Sequence, residues 1–298
     1  MEEAPTRVGI APSDYRLPPE TRLGPVRLQV SDVERSIAFY GDLIGLTLIG
    51  QTDRVAKMGM EGSSEPLVEL VEKKGARPVP PRGALGLYHV AILLPDRKSL
   101  GRFIRHLAEN DVRLGMADHL VSEAIYLNDP DGLGLEIYTD RPRETWGTTG
   151  REIQMATEHL DVQSLLEAAG PDAWTGMPTG TTIGHVHLHV GDIPSAADFY
   201  HEGLGFDKVV WSYPGALFMS AGGYHHHLGT NEWARHAPPA SDDDARLLDW
   251  TIVVPTADDL TAVGANLERH GYGAATSGSA VQTVDPWGTG VRIVRDDV

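Results

Sequence analysis

The stretch GHVHLHVGDIPSAADFYHEGLGF, residues 184–206, sets the architecture of this chain. It opens with imidazole and aliphatic side chains in alternation. In an extended strand every second side chain shares a face, so His185, His187 and His189 point one way and Val186, Leu188 and Val190 the other. A short polar turn follows, then an amphipathic helix with a buried Phe-Tyr pair, then a glycine stop. Nearly the same pattern stands earlier as GPVRLQVSDVERSIAFYGDLIGL, residues 24–46. Gly24, Asp32, Phe39-Tyr40 and Gly45 recur as Gly184, Asp192, Phe199-Tyr200 and Gly205, offset by 160 residues.

A second pair repeats at the same offset. LYHVAILLPDRKSLGRFIRHLAEND (87–111) matches LDWTIVVPTADDLTAVGANLERHG (248–271), with Pro95 and Leu100 recurring as Pro255 and Leu260. NDPDGLGLEIY (128–138) then matches VDPWGTGVRIV (284–294). Its Asp-Pro-x-Gly predicts a tight turn feeding a last strand. The chain therefore holds four related units of strand, helix and several strands, an α+β architecture, beginning near residues 24, 86, 183 and 248. The expected division is an irregular arm at 1–20, a first domain of two units at 21–142, a linker with a short helix at 143–180, and a second two-unit domain at 181–298.

With 298 residues and a hydrophobic fraction of 41%, the chain can bury sizeable cores. Its 42 acidic and 25 basic residues give a net charge of −17, which argues against nucleic-acid or anionic-membrane partners. There are no cysteines, so no disulfide, thiolate metal site or cysteine nucleophile. The N-terminal MEEAPTRVGIAPSDYR does not read as a signal peptide, and no apolar run approaches a membrane span. The expectation is a cytoplasmic protein.

The four copies differ in what they carry at equivalent positions. On the first strands these are Pro25, His89, His185 and Asp249; on last strands, Glu136 corresponds to Arg292. Donors for a divalent metal thus gather in units two and three. Two imidazoles and one carboxylate on one face of a metal make a non-haem Fe(II) site with positions left open. His89, His185 and Glu136 supply that set, and Zn(II) or Mn(II) would accept the same donors. A single strand histidine is ordinarily a core or rim residue, and a buried glutamate is ordinarily paired with arginine. Recurrence at repeat-equivalent positions reverses that reading. His187 and His189 share the face of His185 and are expected to line the pocket or support its ligands. The His225-His226-His227 run ends the third unit, as part of the same pocket or as a surface cluster.

HLVSEAIYLNDPDGLGLE, residues 119–136, resembles the ring-cleavage signature of type I extradiol dioxygenases. These belong with glyoxalase I and the bleomycin-resistance proteins in the vicinal oxygen chelate superfamily. His119, Ile125-Tyr126, Asp129-Pro130, Gly132 and Glu136 match the signature in order, while Ala117 departs from it. Over its whole length the chain is similar to the short bacterial catechol 2,3-dioxygenases. The resemblance implies four βαβββ units forming two vicinal-oxygen-chelate domains. It implies Fe(II), with Mn(II) as the substitute, held by His89, Glu136 and His185. It implies His226 as acid/base, Tyr126 as hydrogen-bonding partner of the bound substrate oxygen, and His119 beside the substrate. His187, His189, His225 and His227 are weaker pocket candidates. The implied partners are a catecholic small molecule and O2, and a homo-oligomer is expected.

One departure matters. In the familiar dioxygenases the ligands come from the third and fourth units, and here they fall in the second and third. That distribution predicts that units two and three pair across the linker, leaving one and four as an empty pair. The alternative is pairing within each half, which would separate His89 and Glu136 from His185 or place the site between chains. Two other activities stay open: a glyoxalase-type isomerase or lyase, which needs a carboxylate where His226 stands, and a non-catalytic binder.

Overall fold

The computed structural model describes residues 8–296. Unit one runs β1 (Arg22–Val30), α1 (Val33–Ala38), β2 (Thr47–Gln51), β3 (Val55–Gly59) and β4 (Pro66–Glu72). Unit two runs β5 (Gly86–Leu93), α2 (Arg97–Glu109), β6 (Gly115–Asp118), β7 (Ser122–Asn128) and β8 (Gly134–Asp140). The connecting segment holds a two-strand ribbon, β9 (Thr148–Thr149) and β10 (Glu152–Ile153), and α3 (Val162–Ala169). Unit three runs β11 (Thr182–His189), α4 (Ile193–Ala196), β12 (Asp207–Val210), β13 (Ala216–Ser220) and β14 (Leu228–Asn231). Unit four runs β15 (Arg246–Val254), α5 (Ala257–Arg269), β16 (Ala275–Ser277), β17 (Ala280–Val284) and β18 (Gly290–Arg295).

These strands form two eight-stranded sheets of the same design. One has the order β12-β13-β14-β11-β5-β8-β7-β6 and joins units three and two; the other, β16-β17-β18-β15-β1-β4-β3-β2, joins four and one. In each, the first strands of two units run antiparallel at the centre, and each lies parallel to its own unit's last strand. The cross-linker pairing expected from the ligand distribution is therefore the one seen. Each sheet draws half its strands from 21–142 and half from 181–298, so the duplication along the chain and the sheets in space are different divisions.

The local chemistry explains the repeat. Asp32 and Asp192 cap their helices by accepting from the backbone N–H of Arg35 and Ser195. Each short helix then widens into a π turn, Phe39–Leu43 and Ala197–Gly203, with Ile44 N–H and Leu204 N–H bonding five residues back. The sequence pattern predicts one regular helix there. Gly45 and Gly205 follow with φ of 89° and 93°, a conformation glycine adopts without strain. Tyr200 Oη donates to Asp285 Oδ2 at 2.8 Å, so the Phe-Tyr motif of unit three meets the Asp-Pro-x-Gly turn of unit four. On α2, Leu100, Phe103, Ile104 and Leu107 form the buried stripe of an amphipathic helix.

Val26, Leu28, Val90, Ile92, Val186, Leu188, Trp250 and Ile252 belong to one continuous core spanning both sheets. Each of the buried Val, Leu and Ile side chains among them contributes roughly 1.5–3 kcal/mol. Of the expected arm at 1–20, residues 1–7 lie outside the described residues. The rest docks along unit three: Ile10 bridges to Lys208, Arg16 pairs with Asp207, and Leu17 N–H donates to Gly205. No helix among the described residues is long and apolar enough to cross a membrane.

Candidate metal centre

Strand register assembles the site. Ala91 on β5 lies opposite His185 on β11 and opposite Glu136 on β8. His89, two residues before Ala91, shares its face. The small Ala91 side chain leaves space between its neighbours, and three ionisable groups converge over it. His89 Nε2 lies 2.9 Å and His185 Nε2 3.2 Å from the same oxygen, Glu136 Oε2. One donor atom from each residue falls within 4.8 Å of the others. Exposure is 5% for His89, 2% for Glu136 and 1% for His185.

A carboxylate this deep is costly unless it is paired. Its partners are the two histidines, and no arginine is among its ion pairs here. Burial pushes the Glu136 carboxyl up, but the neighbouring His185 and His89 outweigh it and hold the group well below the carboxylate range. Burial drives His185 down to about 4. Neutral imidazole and ionised carboxylate are the forms a divalent metal needs. His89 Nε2 supplies a second test of fit. It is buried and makes no hydrogen bond despite lying 2.9 Å from Glu136, because its direction does not suit one. A buried ring nitrogen that faces a carboxylate oxygen without bonding to it suits a cation between the two.

The three residues open onto a cavity of about 360 Å³, which His119, Tyr126, His187 and His226 also line. His119 Nδ1–H donates to the Ala156 carbonyl at 2.7 Å, so its Nε2 accepts from Tyr126 Oη–H at 2.6 Å. Burial, with Glu136 adding to it, holds the Tyr126 phenol well above its usual range. The His226 ring packs 4.0 Å from that of His185 and against Phe218, and burial keeps it well below the usual imidazole range. His187 Nε2 accepts from Asn231 Nδ2 at 3.0 Å, and His189 Nδ1 donates to Asn231 Oδ1 at 2.7 Å.

Three pocket candidates do not line this cavity. His189 is turned to Asn231. His225 sits behind His226. His227 packs against Phe206 and Tyr224, and its Nδ1 accepts from Ala221 N–H. His225, His226 and His227 lie in the turn before β14, and of them only His226 lines the cavity. The sequence reading did not name Tyr88, Met116, Met155, Tyr213, Phe218 or Trp233, which supply much of the lining. Tyr88 adjoins His89, and Phe218 alternates along β13; Tyr213, Trp233 and Met155 come from connections that carry no periodic signal.

Comparison with known proteins follows this geometry. The family model described as the Glyoxalase/Bleomycin resistance protein/Dioxygenase superfamily matches residues 22–137 and 182–296. A Bacillus subtilis (strain 168) protein named catechol-2,3-dioxygenase is 43% identical over 272 residues, covering 90% of this chain and 94% of that protein. Among solved structures, a candidate dioxygenase from Bacillus subtilis superposes with a TM-score of 0.65 at 16% identity, covering 93% of this chain and 86% of that one. Glyoxalase I from Zea mays superposes with a TM-score of 0.55 at 17% identity, covering 93% and 92%. At such identities the two structures speak for the fold alone.

Proposed function

The chain belongs to the glyoxalase/bleomycin resistance protein/dioxygenase superfamily, and from that premise we propose that it is an extradiol dioxygenase that cleaves catechols with O2 beside, not between, the two hydroxyls. The observation that carries this reading is the buried Glu136 flanked by His89 and His185, open to a cavity that also holds His226. The relative at 43% identity named catechol-2,3-dioxygenase supports the same reaction.

The proposed metal is Fe(II), held by His89, Glu136 and His185, with Mn(II) as the alternative for the same donors. Bound there, it would supply a Lewis acid for the catechol oxygens and a centre able to engage O2. The protein's own groups do the rest. His226 is neutral and within the cavity, placed to accept a proton from a catechol hydroxyl and return it later. Tyr126, fixed by His119, stands over the same space to hold the substrate oxygen. Met116, Met155, Phe218 and Trp233 give the cavity apolar walls. Among the described residues no lysine or arginine lines it, so an uncharged catechol fits these walls better than one bearing a carboxylate.

Glu136 is the one carboxylate lining the cavity among the described residues, and His226 stands where a glyoxalase-type base would be needed. A non-catalytic binder has no use for a complete ligand set. The test is oxygen uptake and yellow ring-cleavage product after anaerobic loading with Fe(II). The expected result is turnover of catechol or an alkylcatechol, and none with Zn(II), which has no redox chemistry. Iron-loaded protein inert toward every catechol would overturn the reading.

A further inference from the structure

Behind the cavity wall a row of polar groups leads from His226 toward the surface. His226 Nδ1 lies 2.8 Å from His225 Nδ1, and His225 Nε2 lies 2.8 Å from Asp140 Oδ1. Tyr224 Oη donates to the same Asp140 oxygen at 3.1 Å, and Tyr138 Oη lies 2.7 Å from Tyr224 Oη. Asp140 closes β8, the strand that carries Glu136, and its side chain is 27% exposed, while that of His225 is fully buried. Two imidazole nitrogens at 2.8 Å must share one proton, because two lone pairs or two N–H groups would repel. The carboxylate end decides which ring owns it. An ionised carboxylate only accepts, so with His225 as a neutral ring its proton is on Nε2 and a bare Nδ1 faces His226. His226 must then carry its proton on Nδ1.

We propose that Asp140 and His225 are positioning residues that fix the tautomer of His226, leaving its Nε2 as a bare nitrogen for the cavity. The chain does for His226 what a carboxylate does for the imidazole of a hydrolytic triad: it holds the ring and selects which nitrogen is basic. When His226 takes a proton on Nε2, its Nδ1–H still donates to His225, so the hydrogen bond survives both protonation states. Trp146 and Tyr224 pack on the His225 ring with centroids 5.2 and 4.1 Å away, restricting its orientation. The catalytic consequence rests on the extradiol reading above; the tautomer does not.

Two readouts separate the claims. In the full chain loaded with diamagnetic Zn(II) and labelled with 15N-histidine, the His226 signals, identified by their loss in His226→Asn, should show the proton on Nδ1. In Asp140→Ala, at a partly exposed strand end, they should move toward the Nε2–H form. With iron-loaded protein, Asp140→Ala and His225→Ala should lower kcat about 10- to 100-fold while KM for catechol stays within about twofold, on the scale of general-base assistance. His225→Asn, whose amide oxygen can reach the place of Nδ1, should recover much of that loss. An Nε2–H tautomer in the wild type, or a tautomer and kcat unmoved by Asp140→Ala, overturns the proposal. Wild-type protein with the Nδ1–H form but no turnover would leave the tautomer standing and sink the dioxygenase reading instead.

Discussion

The two sheets share a strand order and hold different chemistry at the same place. Across the central strands His89 faces His187 in one sheet, and Asp249 faces Arg27 in the other. Glu136 sits beside Ala91, and Arg292 beside Thr251. Tyr126 pairs with Glu136, and Gln282 with Arg292. On the remaining inner strand Gly229 faces His187 where Glu69 faces Arg27. In the second sheet the Arg27 guanidinium lies 3.2 Å from Glu69 and 2.7 Å from Asp249. There the positive charge belongs to the chain, and both carboxylates pair with it. In the first sheet the Glu136 carboxylate is buried between His89 and His185, with no lysine or arginine among its ion pairs in the described residues, which leaves a place for a cation. Gly229 serves the same end, because a Cβ there would lie 2.9 Å from the His187 ring. One fold thus makes a metal centre or an internal ion cluster according to whether it supplies its own cation.

The most severe way to break this contrast is to remove the uncompensated charge. Glu136→Gln should leave little bound metal by elemental analysis and lower kcat/KM on the order of 10³-fold or more. Asp249→Asn, at the place His89 holds in the first sheet, should keep activity within about twofold. Equal losses from both would show that the sheets do not differ as described.

Acid sensitivity sharpens the contrast next, since it should reside in the histidine-bearing sheet. Burial pushes His227 down to about 3, and its Nδ1 accepts a backbone N–H. An unfolded histidine titrates near 6.5, so below that pH the unfolded chain takes up a proton that the folded one refuses. The stability His227 permits above about pH 6.5 is therefore lost progressively down to about 3. His227 remains partly open to solvent, so its share between pH 7 and 5 is on the order of 1–2 kcal/mol. Denaturant titrations should show His227→Gln losing less stability than wild type over that interval; an equal loss would remove His227 from the account.

The smallest effect should come from the ion cluster. Arg27 is 38% exposed at its side chain, so Arg27→Ala should cost only about 0.5–1 kcal/mol and leave turnover unchanged. A large fall in activity would mean that the second sheet supports the first.

The difference between the sheets was legible in the sequence because it sits on repeat-equivalent positions. The 160-residue offset placed His185 and Asp249 on like strands, and the Asp-Pro-x-Gly turn placed Glu136 against Arg292. The helix caps and glycine stops could be read for the same reason, being local. The walls of the cavity could not. Tyr213 and Trp233 reach it from connections, and Met155 from the segment joining the halves, where no period links position to direction. The Asp140–His225–His226 row escaped too, because it depends on a contact between units 85 residues apart. Of the histidine runs, composition marked the region but not which rings reach the cavity: His187 and His226 do, and His189, His225 and His227 do not.

Anomalous diffraction at the iron absorption edge from crystals of anaerobically loaded protein tests the central claim most directly. A single peak within bonding distance of His89 Nε2, His185 Nε2 and Glu136 Oε2, with none between Arg27 and Asp249, is the expected result. A peak elsewhere in an active crystal, or density at His185 without His89 and Glu136, would contradict it.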